Sequence, residues 1–212
     1  MIMVLHEITL SASDSNWRLF MVRKADPGFL TFQNTVLQRD AYTCQFCGFH
    51  AKGHFDIVNL DGNYRNNRRS NLVTACEFCS QCFFLEAIGK GEFGGGTLIY
   101  LPEITQNELN ALCHVLFTAI INGTADAPQA RNIYRSTKLR SQIIEKELGE
   151  GMSNPMVYGR LLVDATTDKK AELNVKLAPH LRLLPDINRF SWQLKCWSEA
   201  ALGELQFEQF SA

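Results

Sequence analysis

The chain has no apolar run near the roughly 20 residues that a membrane-spanning helix needs. The nearest, Leu109 to Ile121, is too short and reads as a buried helix. Charge of one sign is also missing. The 21 Lys and Arg are matched by 22 Asp and Glu, for a net charge of −1. Nothing therefore advertises a nucleic-acid or anionic-membrane partner. The partly apolar start, Met1 to Leu10, has no basic region and is interrupted by His6 and Glu7, so no signal peptide is expected. Internal repeats and low-complexity tracts are absent too, so no repeat array is expected.

Cysteine, in contrast, is plentiful. Seven cysteines are an odd number in a chain of 212 residues, 46% of them hydrophobic. A secreted disulfide scaffold would be shorter and evenly paired, so the reading is a reducing compartment with a bound metal. Four of the seven stand in two pairs, Cys44-Gln45-Phe46-Cys47 and Cys76-Glu77-Phe78-Cys79. Two Cys-x-x-Cys knuckles about thirty residues apart form a ligand set for one tetrahedral zinc. Four thiolates close the coordination shell, so the metal is expected to be structural. Gly48 follows the first knuckle, where the turn favours a residue without a Cβ. Cys82 leaves an alternative open, since Cys79 and Cys82 have the same spacing. Cys113 and Cys196 lie on apolar helical faces and read as core.

Ile2 to Leu10 and Trp17 to Val22 read as short strands around a Ser/Asn-rich turn. Phe29 to Arg39 is a helix, Phe55 to Leu60 is β-rich, and Asn71 to Glu86 is helical with the second knuckle near its start. Gly89 to Gly96 is loop, followed by the β-like Thr97 to Leu101. Thr105-Gln106-Asn107-Glu108 is a capping box opening a helix with Leu109, Leu112, Cys113, Leu116 and Ile120 on one face. Gln129 to Leu148 reads as one helix, Asn154-Pro155 starts another, and Asp168 to Leu177 is a short one. Leu181 to Leu184 is extended, and Ile187 to Phe207 closes the chain as a helix with Phe190, Leu194, Trp197 and Ala201 on one side. The Gly94-Gly95-Gly96-Thr97 stretch lacks the Gly-Lys-Ser/Thr ending of a phosphate loop and reads as a packed turn. Residues 129–147 are net basic, a solvated face or a dock for an acidic peptide.

The segment Val36 to Phe84 resembles the zinc-bearing HNH (ββα-metal) endonucleases. The likeness rests on Arg39-Asp40, Cys44 to Gly48, Phe55-Asp56-Ile57-Val58-Asn59-Leu60 and Asn71-Leu72-Val73-Thr74-Ala75-Cys76. It favours Cys76 and Cys79 over Cys82 as ligands. It also implies that the chemistry is gone. Asp56 stands at the general-base position, Phe55 at a metal-ligand position and Ser80 after the last knuckle, and only Asn71 survives. An aspartate is a poor base for water beside an imidazole, and a phenylalanine cannot hold Mg²⁺. His54, two residues before Asp56 and on the same face of a strand, is the one candidate to replace the base. Residues 37–88 carry as many acidic as basic side chains, whereas a DNA-cutting module should neutralise phosphates.

Longer words run through the whole chain: YTCQFCGF (Tyr42 to Phe49), IVNLDG (Ile57 to Gly62), SNLVTAC (Ser70 to Cys76), QCFF (Gln81 to Phe84), GGGTLIYLPE (Gly94 to Glu103), LCHVLF (Leu112 to Phe117), NIYRS (Asn132 to Ser136) and LRLLP (Leu181 to Pro185). By these the chain resembles the IcmJ/DotN family of the Dot/Icm type IVB secretion system. The resemblance implies an α+β protein. An HNH-like zinc module with short N-terminal strands (residues 1–93) is followed by a mainly helical region packed on it (94–212), as two domains or one. It implies one structural Zn²⁺ on Cys44, Cys47, Cys76 and Cys79, and no nuclease activity. The implied role is in the coupling complex, binding the cytoplasmic C-terminal extension of the coupling ATPase beside a membrane-anchored subunit and effector adaptor proteins. The implied location is cytoplasmic and peripheral to the inner membrane, with no nucleic-acid partner. The competing readings are a divergent HNH endonuclease using His54 or Asp56, and a zinc-ribbon nucleic-acid binder.

Overall fold

A computed structural model describes residues 5–166 and 178–210, with side chains up to residue 202 in the last helix. The architecture is α+β, with helices around two small antiparallel sheets. The described segment ahead of the first helix, residues 5–13, is not a strand, and residues 2–4 of the expected one lie outside the described residues. It is irregular and pinned at intervals: the His6 amide donates to Gln45 O and Ser11 N to Cys82 O, and Leu85 N donates back to Ser11 O.

Helix α1, Asp14–Lys24, replaces the second expected strand. Ser13 caps it by accepting from the Asn16 amide. Asp14 in its first turn and Arg23 and Lys24 in its last complement the helix dipole. The apolar residues that suggested a strand follow the helical period: Trp17 and Phe20, three apart, both pack on Phe84. Helix α2, Pro27–Arg39, starts two residues earlier than expected, because Asp26 caps the Gly28 amide and Pro27 occupies the first turn.

Strands β1 (Phe55–Asn59) and β2 (Leu72–Cys76) pair from Phe55↔Cys76 to Asn59↔Leu72, and all ten residues are buried. The helix expected from Asn71 therefore does not begin there. Pairing with β1 satisfies the backbone of Leu72–Cys76, and a long-range partner overrides local pattern. The only α-helix in that stretch is α3, Glu77–Ser80, followed by two short 3₁₀ turns at Gln81–Phe83 and Leu85–Ala87.

Strand β3 (Gly96–Tyr100) pairs with β4 (Leu181–Pro185). Helix α4, Gln106–Ile121, opens with the full reciprocal capping box of Thr105 and Glu108. The single helix expected over Gln129 to Leu148 is two, α5 (Ala127–Leu139) and α6 (Ser141–Leu148). At the break, Arg140 forms a two-pronged ion pair with Glu103, 2.6 and 2.8 Å. The bend lets Ala130 join one core cluster while Ile144 enters the other. Helix α7, Pro155–Asp164, is capped by Asn154. The helix expected over Asp168 to Leu177 lies outside the described residues.

Helix α8, Ser191–Phe210, starts four residues after the expected Ile187, because Asp186 first closes a turn onto the Asn188 and Arg189 amides. Leu194 and Trp197 of its expected apolar face are buried, as is Phe190 just ahead of it, but Ala201 is exposed. Cys113 is buried, while Cys196 is only partly covered. No helix among the described residues is long and apolar enough to cross a membrane.

A buried thiol cluster and a closed carboxylate

The knuckle around Cys44 is a tight hairpin. The Cys44 amide donates to Phe49 O, the Gly48 amide to Cys44 O, and Gly48 adopts φ 76°. Only glycine enters that left-handed region freely. The second pair sits where β2 ends and α3 begins, Cys76 being the last strand residue and Cys79 a helical one. The knuckles reach one point because the Gln45 amide donates to Thr74 O, lashing the hairpin to β2.

The four sulfurs of Cys44, Cys47, Cys76 and Cys79 lie within 4.8 Å of one another. The Cys47 and Cys76 sulfurs are 3.6 Å apart. Sulfurs at about 2.3 Å from a tetrahedral zinc would be about 3.8 Å apart, so the spacing fits a single ion. Cys44, Cys76 and Cys79 are buried and Cys47 partly so. Burial, and then the crowding of neighbouring thiols, pushes Cys76 and Cys79 well above the usual thiol range. A bound dication reverses that logic, because a coordinating thiol is deprotonated outright. The set can hold a metal ion. Cys82 lies outside it: its Sγ faces the Phe78 carbonyl at 3.3 Å, and burial pushes its thiol up.

Two contacts to the cluster were not legible as site residues. Nδ2 of Asn110 is 3.2 Å from the Cys79 sulfur, and Nε2 of His114 is 3.3 Å from that of Cys76. The His114 ring is stacked between Phe49 (centroids 3.7 Å apart) and Phe78 (4.2 Å), and burial pushes its pKa down to about 3. The available signal was polar residues one turn apart inside the buried stripe of α4, next to Leu109, Cys113 and Phe117.

The position that the HNH resemblance gives to the general base, Asp56, is closed. Asp56 is buried on β1. Oδ1 receives the Lys24 ammonium at 2.7 Å and Oδ2 the Ser80 hydroxyl at 2.6 Å. Burial works against the Lys24 charge, but Asp56 outweighs it and raises Lys24. Burial and the Asp56 charge push the neighbouring Glu77 up to about 7. His54 does not share a strand face with Asp56. It precedes β1 with φ 58° and sets its ring edge-on to Trp197, 6.1 Å away. Phe55 is buried. Asn71 braces the loop ahead of β2, donating to Asp61 Oδ1 and Asn66 O and accepting from the Asp61 amide.

One further feature resolves as structural. The Gly95 amide is taken by the buried Gln81 side chain at 2.9 Å, and a Cβ at Gly95 would collide with Arg189, so the glycine stretch is a packed turn. Of the basic residues on α5 and at the break after it, Arg140 is held by Glu103, and Lys138 lies 3.8 Å from Asp186.

No protein-family model matches the chain. It is 54% identical over 199 residues, 94% of its length and 92% of the relative's, to a protein of Legionella pneumophila subsp. pneumophila strain Philadelphia 1 named type 4 apparatus protein DotN. Identity at that level across nearly the whole of both chains extends far beyond the cysteine module, and the chain belongs to the IcmJ/DotN family of Dot/Icm type IV secretion apparatus proteins.

Proposed function

We propose that the chain is a non-catalytic, zinc-stabilised component of the type IVB coupling complex. In this reading Cys44, Cys47, Cys76 and Cys79 hold one structural Zn²⁺. The β1–β2 hairpin followed directly by α3 is the remnant of an HNH-like ββα module within residues 1–93. The mainly helical residues 94–212 pack on it. The surface binds the cytoplasmic C-terminal extension of the coupling ATPase, beside a membrane-anchored subunit and effector adaptors, and this holds the chain at the cytoplasmic face of the inner membrane.

The observation that carries the non-catalytic part is the closed state of Asp56. A general base needs a free lone pair within reach of water. A metal site for hydrolysis needs an open position. Asp56 is instead buried away from water, and each of its oxygens already receives a protein donor. The thiol set supports the structural role of the metal, since four thiolates leave no place for substrate. Membership of the IcmJ/DotN family supports the setting in a secretion complex.

The test is binding of the isolated C-terminal extension of the coupling ATPase from the same organism to the zinc-loaded chain, by calorimetry and by co-elution. A saturable complex that survives 0.3 M salt is expected. Absence of binding by a folded, metal-loaded chain overturns the partner assignment, and Mg²⁺- or Mn²⁺-dependent plasmid cleavage overturns the non-catalytic one.

A further inference from the structure

Helix α4 approaches the sulfur cluster from outside both knuckles. Asn110 and His114 are one turn apart on its buried face, and each meets a different sulfur. Asn110 lies 3.2 Å from Cys79 and His114 3.3 Å from Cys76. We propose that Asn110 and His114 are positioning residues for the metal centre, N–H donors to the Cys79 and Cys76 thiolates that hold the sulfurs in place and tie α4 to the metal. The assignment rests on the reading of the four cysteines as metal ligands.

The orientation of the Asn110 amide is dictated by its neighbours. Gln106 is buried, with its Oε1 accepting from the Leu183 amide at 2.8 Å and its Nε2 donating to Leu183 O at 2.9 Å. Nε2 also donates to Oδ1 of Asn110 at 2.9 Å. With Oδ1 accepting, the NH₂ of Asn110 must face the other way, toward Phe78 O at 3.3 Å and the Cys79 sulfur. The chain of contacts therefore runs from β4 through Gln106 and Asn110 to a ligand. His114 is fixed differently. Its ring is sandwiched by Phe49, from the loop after the first knuckle, and Phe78, from inside the second. The stack sets the ring plane, and in that plane Nε2 lies 3.3 Å from the Cys76 sulfur.

The chemistry requires such donors. One Zn²⁺ on four thiolates leaves a net charge of −2, and Cys76 and Cys79 are fully buried, away from the water that would otherwise solvate them. Hydrogen bonds to an ionised acceptor are strong, and donors outside the ligand shell orient ligands and commonly change metal affinity by about 10–100-fold. Both donors here belong to α4, more than thirty residues beyond the last ligand. Losing the metal should therefore loosen α4 as well as the knuckles.

The test uses the full chain. Metal content is measured first, and a folded chain with no zinc overturns the metal reading itself. His114→Phe keeps the aromatic stack and removes the donor, and Asn110→Leu keeps the branching at Cγ and removes the donor. In each, zinc transfer to a chelator should be about tenfold faster than in the parent. The thiolate-to-cobalt charge-transfer bands of the Co²⁺-loaded protein should shift. Unchanged release rates and unchanged cobalt spectra in both variants overturn the proposal while leaving the four-cysteine site intact. If neither variant folds, the unaltered protein loaded with ¹¹³Cd decides: proton–cadmium correlations from the His114 ring N–H and the Asn110 side-chain N–H are expected, and their absence overturns the assignment.

Discussion

The Ser80 hydroxyl donates to Oδ2 of Asp56 at 2.6 Å, across the gap between α3 and β1. Lys24 of α1 takes the other oxygen. Asp56 thus joins three elements, which gives its carboxylate a structural use. Asp56→Asn should cost about 1–2 kcal/mol by urea titration, the value of a charge-assisted bond to a lysine that can turn to water. Neither the parent nor the variant should nick plasmid DNA with Mg²⁺ or Mn²⁺. Cleavage by the parent that vanishes in the variant would reveal a working base.

Cys76→Ser should abolish stoichiometric zinc and cooperative melting together. Structural zinc supplies about 10–16 kcal/mol in small peptides, comparable to the whole stability of a domain. Protons compete with the metal for thiolates, so the parent should release zinc on acidification and gain stability as pH rises from acid toward neutral. Metal analysis alongside calorimetric melts checks both, and a Cys76→Ser protein with full zinc and an unchanged melting temperature would refute the ligand assignment.

Arg23 is a buried cation with several uses. Nη1 donates to Oδ1 of Asn59 at 2.6 Å and of Asn67 at 3.2 Å, and Nη2 donates to Ile57 O. The guanidinium also lies over the Phe29 and Tyr64 rings, 4.6 and 5.1 Å from their centroids. Burial lowers its pKa. Arg23→Leu leaves Asn59 and Ile57 with buried unpaired acceptors, and should cost about 2–4 kcal/mol in chemical denaturation. A loss below half a kcal/mol would mean that water replaces the guanidinium.

Gly159→Ala sets two effects against each other. In an exposed helix the change stabilises by about 1 kcal/mol. At this position a Cβ on α7 would run into the Glu86 backbone nitrogen and the Leu85 carbonyl carbon. A backbone clash cannot be relieved by a rotamer change, so overpacking should dominate, with a net loss of about 1–3 kcal/mol. A higher melting temperature in the variant would show that α7 can lift from the 3₁₀ turn without cost.

The sequence was most legible where one local rule acts alone. The Thr105–Glu108 capping box, Pro155 at a helix start, Gly48 in its tight turn and the two Cys-x-x-Cys pairs all depend on residues a few positions apart. Their geometry follows from that spacing. It was least legible where a distant partner decided the outcome. Trp17 and Phe20 share one face of a helix, and both pack on Phe84, more than sixty residues away. Leu72–Cys76 is a strand because β1 lies beside it.

For the site, spacing pointed to four cysteines that could share one ion, and the Gln45–Thr74 contact to β2 then brings the two knuckles to one point. Spacing did not determine that Asn110 and His114 would touch two of those sulfurs, or that Lys24 and Ser80 would occupy Asp56. Those contacts join residues 24 to 38 positions apart. Only the packing of α1, α3 and α4 around the β1–β2 hairpin brings them within hydrogen-bond range, and hydrogen bonds act only at that range.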